Sequence, residues 1–115
     1  MKLEVGMLVR TKQGTIEKII DKYEAPYGYK VIVNEELRFK HYEHNYIKHI
    51  SKASHSIIDL IEVGDYINGE KVTSIESNGW LGFGNHDLYL SNEEEIETVV
   101  TKEMFFNAEY RVETD

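Results

Sequence analysis

The sequence predicts a mainly β protein of the β-rich α+β kind, built as two small β-barrel units in tandem with one short helix near the C-terminus. Three observations lead there. A motif occurs twice: Leu3-Glu4-Val5-Gly6 returns as Ile61-Glu62-Val63-Gly64. Each copy opens a series of short β-prone runs divided by Gly-containing turns, the pattern of small barrels and sandwiches. The halves also differ in charge. Residues 1–56 carry ten Lys/Arg against seven Asp/Glu, whereas residues 57–115 carry three against fourteen. The first unit is placed at residues 1–52 and is mildly basic. The second, at 57–115, is strongly acidic.

In the first unit Met7 to Thr11 is rich in β-formers, and Lys12-Gln13-Gly14 reads as a hairpin turn. Thr15 to Lys22 has β-branched residues at 15, 16, 19 and 20, which favour a strand over a helix. Glu24 to Gly28 reads as a loop because Pro26 lacks the N–H that pairing needs. Tyr29, Val31 and Val33 alternate and should share one buried face. Leu37 to Tyr42 alternates again, and Asn45 to Ile50 closes the unit with Tyr46, Ile47 and Ile50. The small, polar stretch Ser51 to Ser56 reads as the linker.

In the second unit Asn68-Gly69 is a strong hairpin signal, with Lys71 to Ile75 as the returning strand. Asn78-Gly79 makes another turn. Trp80 to Gly84 and Leu88 to Leu90 follow, then Ile96 to Val100 as a strand. Thr101 is suited to cap a short helix over Lys102 to Asn107, with Glu103 in its first turn. Ala108 to Val112 ends the chain as a strand.

Units of about 55 residues bury little surface alone, so the two should share an interface. The chain has no cysteine, which excludes disulfides and thiolate chemistry and suits a reducing compartment. No signal-peptide pattern opens it and no apolar run approaches a membrane span. A cytoplasmic location in a bacterial host is the expectation.

Val5-Gly6-Met7-Leu8-Val9-Arg10-Thr11-Lys12-Gln13-Gly14 resembles the opening of SH3-like small barrels, including KOW-type modules. That resemblance implies five short strands per unit. Ser54 to Gly69 and Ile96 to Phe105, followed by Glu109 to Val112, resemble segments of small accessory proteins of phages and prophages of Firmicutes. This second resemblance implies a phage accessory protein and brings no catalytic residues with it.

No P-loop, nucleophile elbow or dinucleotide fingerprint is present, and no base, nucleophile and orienting group are spaced for catalysis. An enzyme is not expected, nor is a cofactor. His41, His44, His49 and His55 cluster, but positions 41 and 44 on a strand point to opposite faces, so no metal site is assigned. Trp80 and Phe83 are expected in the core, although Trp80 is also a natural anchor for a partner.

The acidic half carries the leading functional expectation. Glu93, Glu94, Glu95 and Glu97, with Asp87 and Trp80 nearby and with Glu62, Asp65, Glu70 and Glu76 adding charge, form a partner-binding face for a protein with a basic nucleic-acid-binding groove. Within the phage resemblance, such a partner would be a CRISPR effector or another host nucleic-acid-handling protein, as for anti-CRISPR proteins. The alternative is a nucleic-acid-binding module using Arg10, Lys12, Lys30, Arg38, Lys40, Tyr29 and Tyr42, where cations meet phosphates and tyrosines stack bases. A third reading is a sponge for a small nucleotide signal, with Tyr and Lys residues lining a pocket where the units join. Open strand edges also leave room for a homodimer.

Overall fold

A computed structural model describes residues 2–24, 27–33, 39–84 and 89–108. Among the described residues its elements are short strands with a single α-helix, as the mainly β reading expects. The first unit is one antiparallel sheet of β1 (Leu8–Thr11), β2 (Ile16–Glu24), β3 (Tyr27–Val33), β4 (Phe39–Glu43) and β5 (Ile50–Ser54), in the order β4-β3-β2-β1-β5. A 3-10 helix, η1 (His44–His49), links β4 to β5. Tyr29, Val31 and Val33 are buried together, as their alternation predicts. With Leu3, Val9, Ile19, Tyr46 and Ile50 they make the core of this unit. Each aliphatic side chain fully buried there contributes about 1.5–3 kcal/mol.

Two boundaries differ from expectation. Residues 51–54 are not linker but belong to β5, where Lys52 to Ser54 pair with Leu8 to Arg10. Ser51, Lys52 and Ser54 suit an edge strand, which shows one side to water, while Ala53 packs against the core. Tyr27 and Gly28 are not loop but strand, paired with Glu24 and Tyr23. Ala25 and Pro26 lie outside the described residues.

The second unit has two three-stranded antiparallel sheets. One contains β6 (Tyr66–Ile67), β7 (Glu70–Lys71) and β11 (Val99–Val100), in the order β11-β6-β7. The other contains β8 (Ser74–Ile75), β9 (Leu81–Gly82) and β10 (Tyr89–Leu90), in the order β10-β9-β8. Ile61, Ile67, Val72, Leu81 and Leu90 form its core. The expected single strand from Lys71 to Ile75 is split, because Val72 N–H bonds back to Asp65 while Thr73 N–H turns to Gly82. The strand expected from Ile96 contracts to Val99–Val100. The helix α1 (Lys102–Ala108) follows, so Ala108 belongs to a helix, and the rest of the terminal strand expected there, residues 109–112, lies outside the described residues. Among the described residues the three sheets stay separate, and neither unit is closed into a barrel.

The doubled motif is a structural repeat. Gly6 and Gly64 both hold positive φ, 93° and 100°, as the third residue of a type II turn requires. Met7 N–H closes on Glu4 O and Asp65 N–H on Glu62 O, each at 3.1 Å. Gly6 N–H donates to Ile19 O as Gly64 N–H donates to Val72 O, each at 2.8 Å. The return bonds also match: Ile19 N–H to Met7 O, and Val72 N–H to Asp65 O. Leu3 and Ile61 are both buried, whereas Val5 and Val63 are both exposed.

Candidate functional site

The junction of the units explains how the acidic segment is held. Along β1, Val9, Arg10 and Thr11 are all buried. Successive strand residues point to opposite faces, so Val9 enters the first core and Arg10 faces the second unit. The pairing of β1 with β5 shifts register between Arg10 and Thr11, the kind of irregularity that re-aims a side chain.

The Arg10 guanidinium is fully engaged. Nη1 donates to an Asp65 carboxylate oxygen and, at 3.0 Å, to Leu60 O. Nη2 donates to Asp65 Oδ1 at 2.9 Å and to Glu103 Oε2 at 2.7 Å. Nε lies 3.5 Å from Glu62 Oε2. Burial works against the Arg10 charge, but the bonds to Asp65 and Glu103 outweigh it and its pKa rises. Asp65 is itself buried and accepts the backbone N–H groups of Glu62 and Lys102. Lys102 Nζ reaches Glu62 at 2.7 Å, and Lys52 Nζ lies 3.5 Å from the same carboxylate. Burial opposes the Glu62 charge, yet Lys102, Arg10 and Lys52 together draw its pKa below the ordinary value. The bond to Glu62 raises the Lys102 pKa.

Helix α1 docks on this cluster. Thr101 Oγ1 accepts Met104 N–H, the capping role expected of it, and donates to Gly14 O in the turn of the first unit. Gly14 has φ of +89°, and a Cβ there would lie 2.5 Å from Thr101 Oγ1. A groove of about 500 Å³ remains between that turn and α1, lined by Lys12, Gln13, Lys102, Glu103, Phe106 and Asn107. Lysines line this groove, with no tyrosine among its lining residues.

The acidic residues separate into two groups. Glu62, Asp65 and Glu103 face cations inside the molecule, so Glu62 and Asp65 do not add to an open acidic face. Glu93, Glu94 and Glu95 form an exposed 3-10 helix, η3 (Glu93–Glu95), which Asn92 caps by accepting Glu94 N–H. Glu93 accepts the Ser56 hydroxyl. The next residues are pinned by Asn68, whose Oδ1 accepts Glu97 N–H at 2.7 Å and Thr98 N–H at 3.0 Å. Asn68 Nδ2 donates to Glu95 O at 2.8 Å. Glu94, Glu95 and Glu97 are exposed, and none forms an ion pair among the described residues. Asp87 lies outside the described residues.

Trp80 is a correction to the core expectation. It is 45% exposed, beside the 48% exposed Tyr89 with ring centroids 6.3 Å apart. The preceding Asn78-Gly79 turn swings it outward, while Leu81 takes the buried position. Phe83 packs against the core as expected.

The basic constellation is dispersed. Arg10 is in the ion cluster, and Tyr29 is a core residue against Tyr46 at 5.6 Å. Lys12 is exposed at the junction, and Lys30 is partly buried in β3. Lys40 and Tyr42 occupy β4 opposite Val31 and Tyr29, and Arg38 lies outside the described residues. His41 is in β4, His44 opens η1, and His55 lies 3.1 Å from Glu4. Among the described residues no three His, Asp or Glu side chains converge on a metal-sized site. No described helix is long and apolar enough to cross a membrane.

Sequence reasoning missed two residues that organise the site. Asn68 stood out only as half of a turn signal, and Arg10 only as part of the opening motif and as a candidate nucleic-acid contact. The clue to Arg10 was its place within the β-forming run Leu8-Val9-Arg10-Thr11. No protein family, curated protein or solved structure matches this chain.

Proposed function

We propose that this protein is a non-enzymatic binding protein whose acidic segment, Glu93 to Glu97, engages a basic groove on a nucleic-acid-handling protein. The carrying observation is that Glu94, Glu95 and Glu97 are exposed, lack ion-pair partners among the described residues, and sit on backbone tied down by Asn68 and Asn92. A backbone already held in place loses little further freedom on binding, and its row of carboxylates steers a cationic partner toward itself. Trp80 and Tyr89 add half-exposed aromatic rings of the type that anchors interfaces.

In this reading the protein is phage-encoded and its target class is a host defence protein such as a CRISPR effector, which it inhibits by occupying a groove meant for nucleic acid. The first unit is then an SH3-like scaffold. Its strand order, with a 3-10 helix between β4 and β5 and β5 returning to β1, supports that assignment. The nucleic-acid-binding alternative is less well supported, because Arg10 and Tyr29 are interior.

The test is an affinity pull-down from a Gram-positive host lysate, with and without nuclease, using the native chain and a Glu94→Lys, Glu95→Lys, Glu97→Lys variant. The expected result is one nucleic-acid-handling protein that survives nuclease treatment and is lost with the variant. Undiminished capture by the variant overturns the acidic-face reading.

A further inference from the structure

We infer that the groove between the Lys12–Gly14 turn and α1 is a binding site for a small anion that carries a flat apolar portion. The inference is independent of the acidic-face reading, since the groove contains none of Glu93 to Glu97. Its volume of about 500 Å³ falls within the range of small-ligand sites, roughly 300–1,000 Å³.

The groove is wide open to solvent, and its two sides are tied to each other. Thr101 Oγ1 bonds Gly14 O at 2.8 Å, and Glu103 bonds Arg10 at 2.7 Å. The turn cannot withdraw from the helix without breaking a buried hydrogen bond and straining a partly buried ion pair. Sides tied together in this way lower the cost of binding.

Charge selects the ligand. Glu103 lines the groove, but its Oε2 is bonded to Arg10. Lys102 lines it too, with Nζ bonded to Glu62. Arg10, Lys52 and Lys102 therefore match Glu62, Asp65 and Glu103 within the cluster. Lys12 forms no ion pair among the described residues and supplies the net positive charge of the groove. The carboxamides of Gln13 and Asn107 offer both donors and acceptors to orient polar edges.

The apolar side comes from α1. No residue of this helix is buried, and Phe106 is 57% exposed while lining the groove. A planar ring laid against Phe106 and the lysine methylene stems would recover that exposed area. Mononucleotides and aryl carboxylates share this combination of ring and anion.

The test is an amide NMR titration of the full chain with adenosine 5′-monophosphate and, separately, indole-3-acetate. Adenosine and inorganic phosphate serve as half-ligands. The expected result is saturable movement of the Lys12, Gln13, Phe106 and Asn107 signals with at least one intact anion, and much weaker movement with either half-ligand. Response to the nucleotide alone, or to the carboxylate alone, identifies the source. Lys12→Glu should weaken binding about tenfold or more, because a charge-assisted contact is lost and reversed. Phe106→Ala should weaken it while leaving the Gly14 and Thr101 signals in place, which separates lost contact from lost fold. Absence of groove shifts with both anions at millimolar concentration, or unchanged affinity in Lys12→Glu, overturns the inference.

Discussion

Arg10 and Asp65 form a two-pronged ion pair across the boundary between the two units, with both side chains buried. Asp65 occupies the turn position that Met7 fills in the first copy of the repeated motif. There Glu4 N–H meets Met7 Sδ at 3.4 Å, whereas Glu62 N–H meets Asp65 Oδ2 at 2.7 Å. The second copy thus carries a carboxylate where the first carries a thioether, and that carboxylate recruits Arg10 from the first copy. The opposite charges of the two halves serve in part to join them.

Removing one partner should be far worse than removing both. Asp65→Ala leaves Arg10 without its main counter-charge and orphans the N–H groups of Glu62 and Lys102. The expected loss is about 3–5 kcal/mol, as for other broken buried pairs. An Arg10→Met, Asp65→Leu double variant should regain much of it, because apolar replacement of a buried pair is often near neutral. Urea unfolding of the native chain, both single variants and the double variant measures this directly. A double variant no more stable than the worse single one would contradict the assignment.

Stability should fall in acid, and Glu62 should contribute to the fall. Its folded pKa lies below the ordinary 4.5 because Lys102, Arg10 and Lys52 overcome the cost of burial. Above the ordinary value Glu62 is charged in both states, and its ion pairs contribute fully. As pH falls below it the unfolded chain takes up the proton first, so stability declines until pH passes the folded value. Glu4, lowered by its hydrogen bond to His55, has the same sign. Glu62→Gln should flatten part of the decline in urea midpoints between pH 7 and pH 3.

Two glycines with positive φ should respond differently to alanine. Gly69 has open space around its missing Cβ, so Gly69→Ala should cost only the left-handed backbone penalty, about 1–2 kcal/mol. Gly14→Ala adds a collision with Thr101 Oγ1 and with Glu103 Cβ at 2.6 Å. The expected cost is about 3 kcal/mol or more. Thermal melts of the two variants compare them, and equal costs would mean that the turn and α1 are not in close contact.

Backbone chemistry was the legible part of this chain. The alternation of Tyr29, Val31 and Val33, the Asn68-Gly69 hairpin and the Thr101 cap each rest on local rules, and each is found in the structure. What local rules cannot reach is partnership at long range. Arg10 and Asp65 are 55 residues apart in the chain, so their pairing depends on how two units dock. Ser51 to Ser54 reads as linker because an edge strand and a polar connection share the same composition. Trp80 reads as core because size favours burial, but the Asn78-Gly79 turn gives the inward position to Leu81. For the acidic segment, its exposure was legible and its anchoring was not.

That anchoring gives the last prediction. Asn68 combines a left-handed backbone, φ 52°, with side-chain bonds to Glu95, Glu97 and Thr98. Asn68→Gly keeps the turn, since glycine accepts positive φ freely, but deletes all three bonds. The net loss should be modest, about 1–3 kcal/mol. Its local effect should be larger, because the Glu97 and Thr98 amides lose their acceptor. Hydrogen exchange of those amides should accelerate in Asn68→Gly while exchange at Ile19 and Val31 in the first core stays close to native. Asn68→Ala should lose the bonds and strain the turn as well. If the acidic segment binds through carboxylates carried on a pre-organised backbone, Asn68→Gly should also weaken partner capture although every glutamate is still present. Unchanged capture with accelerated exchange would show that charge alone, without its fixed placement, is enough.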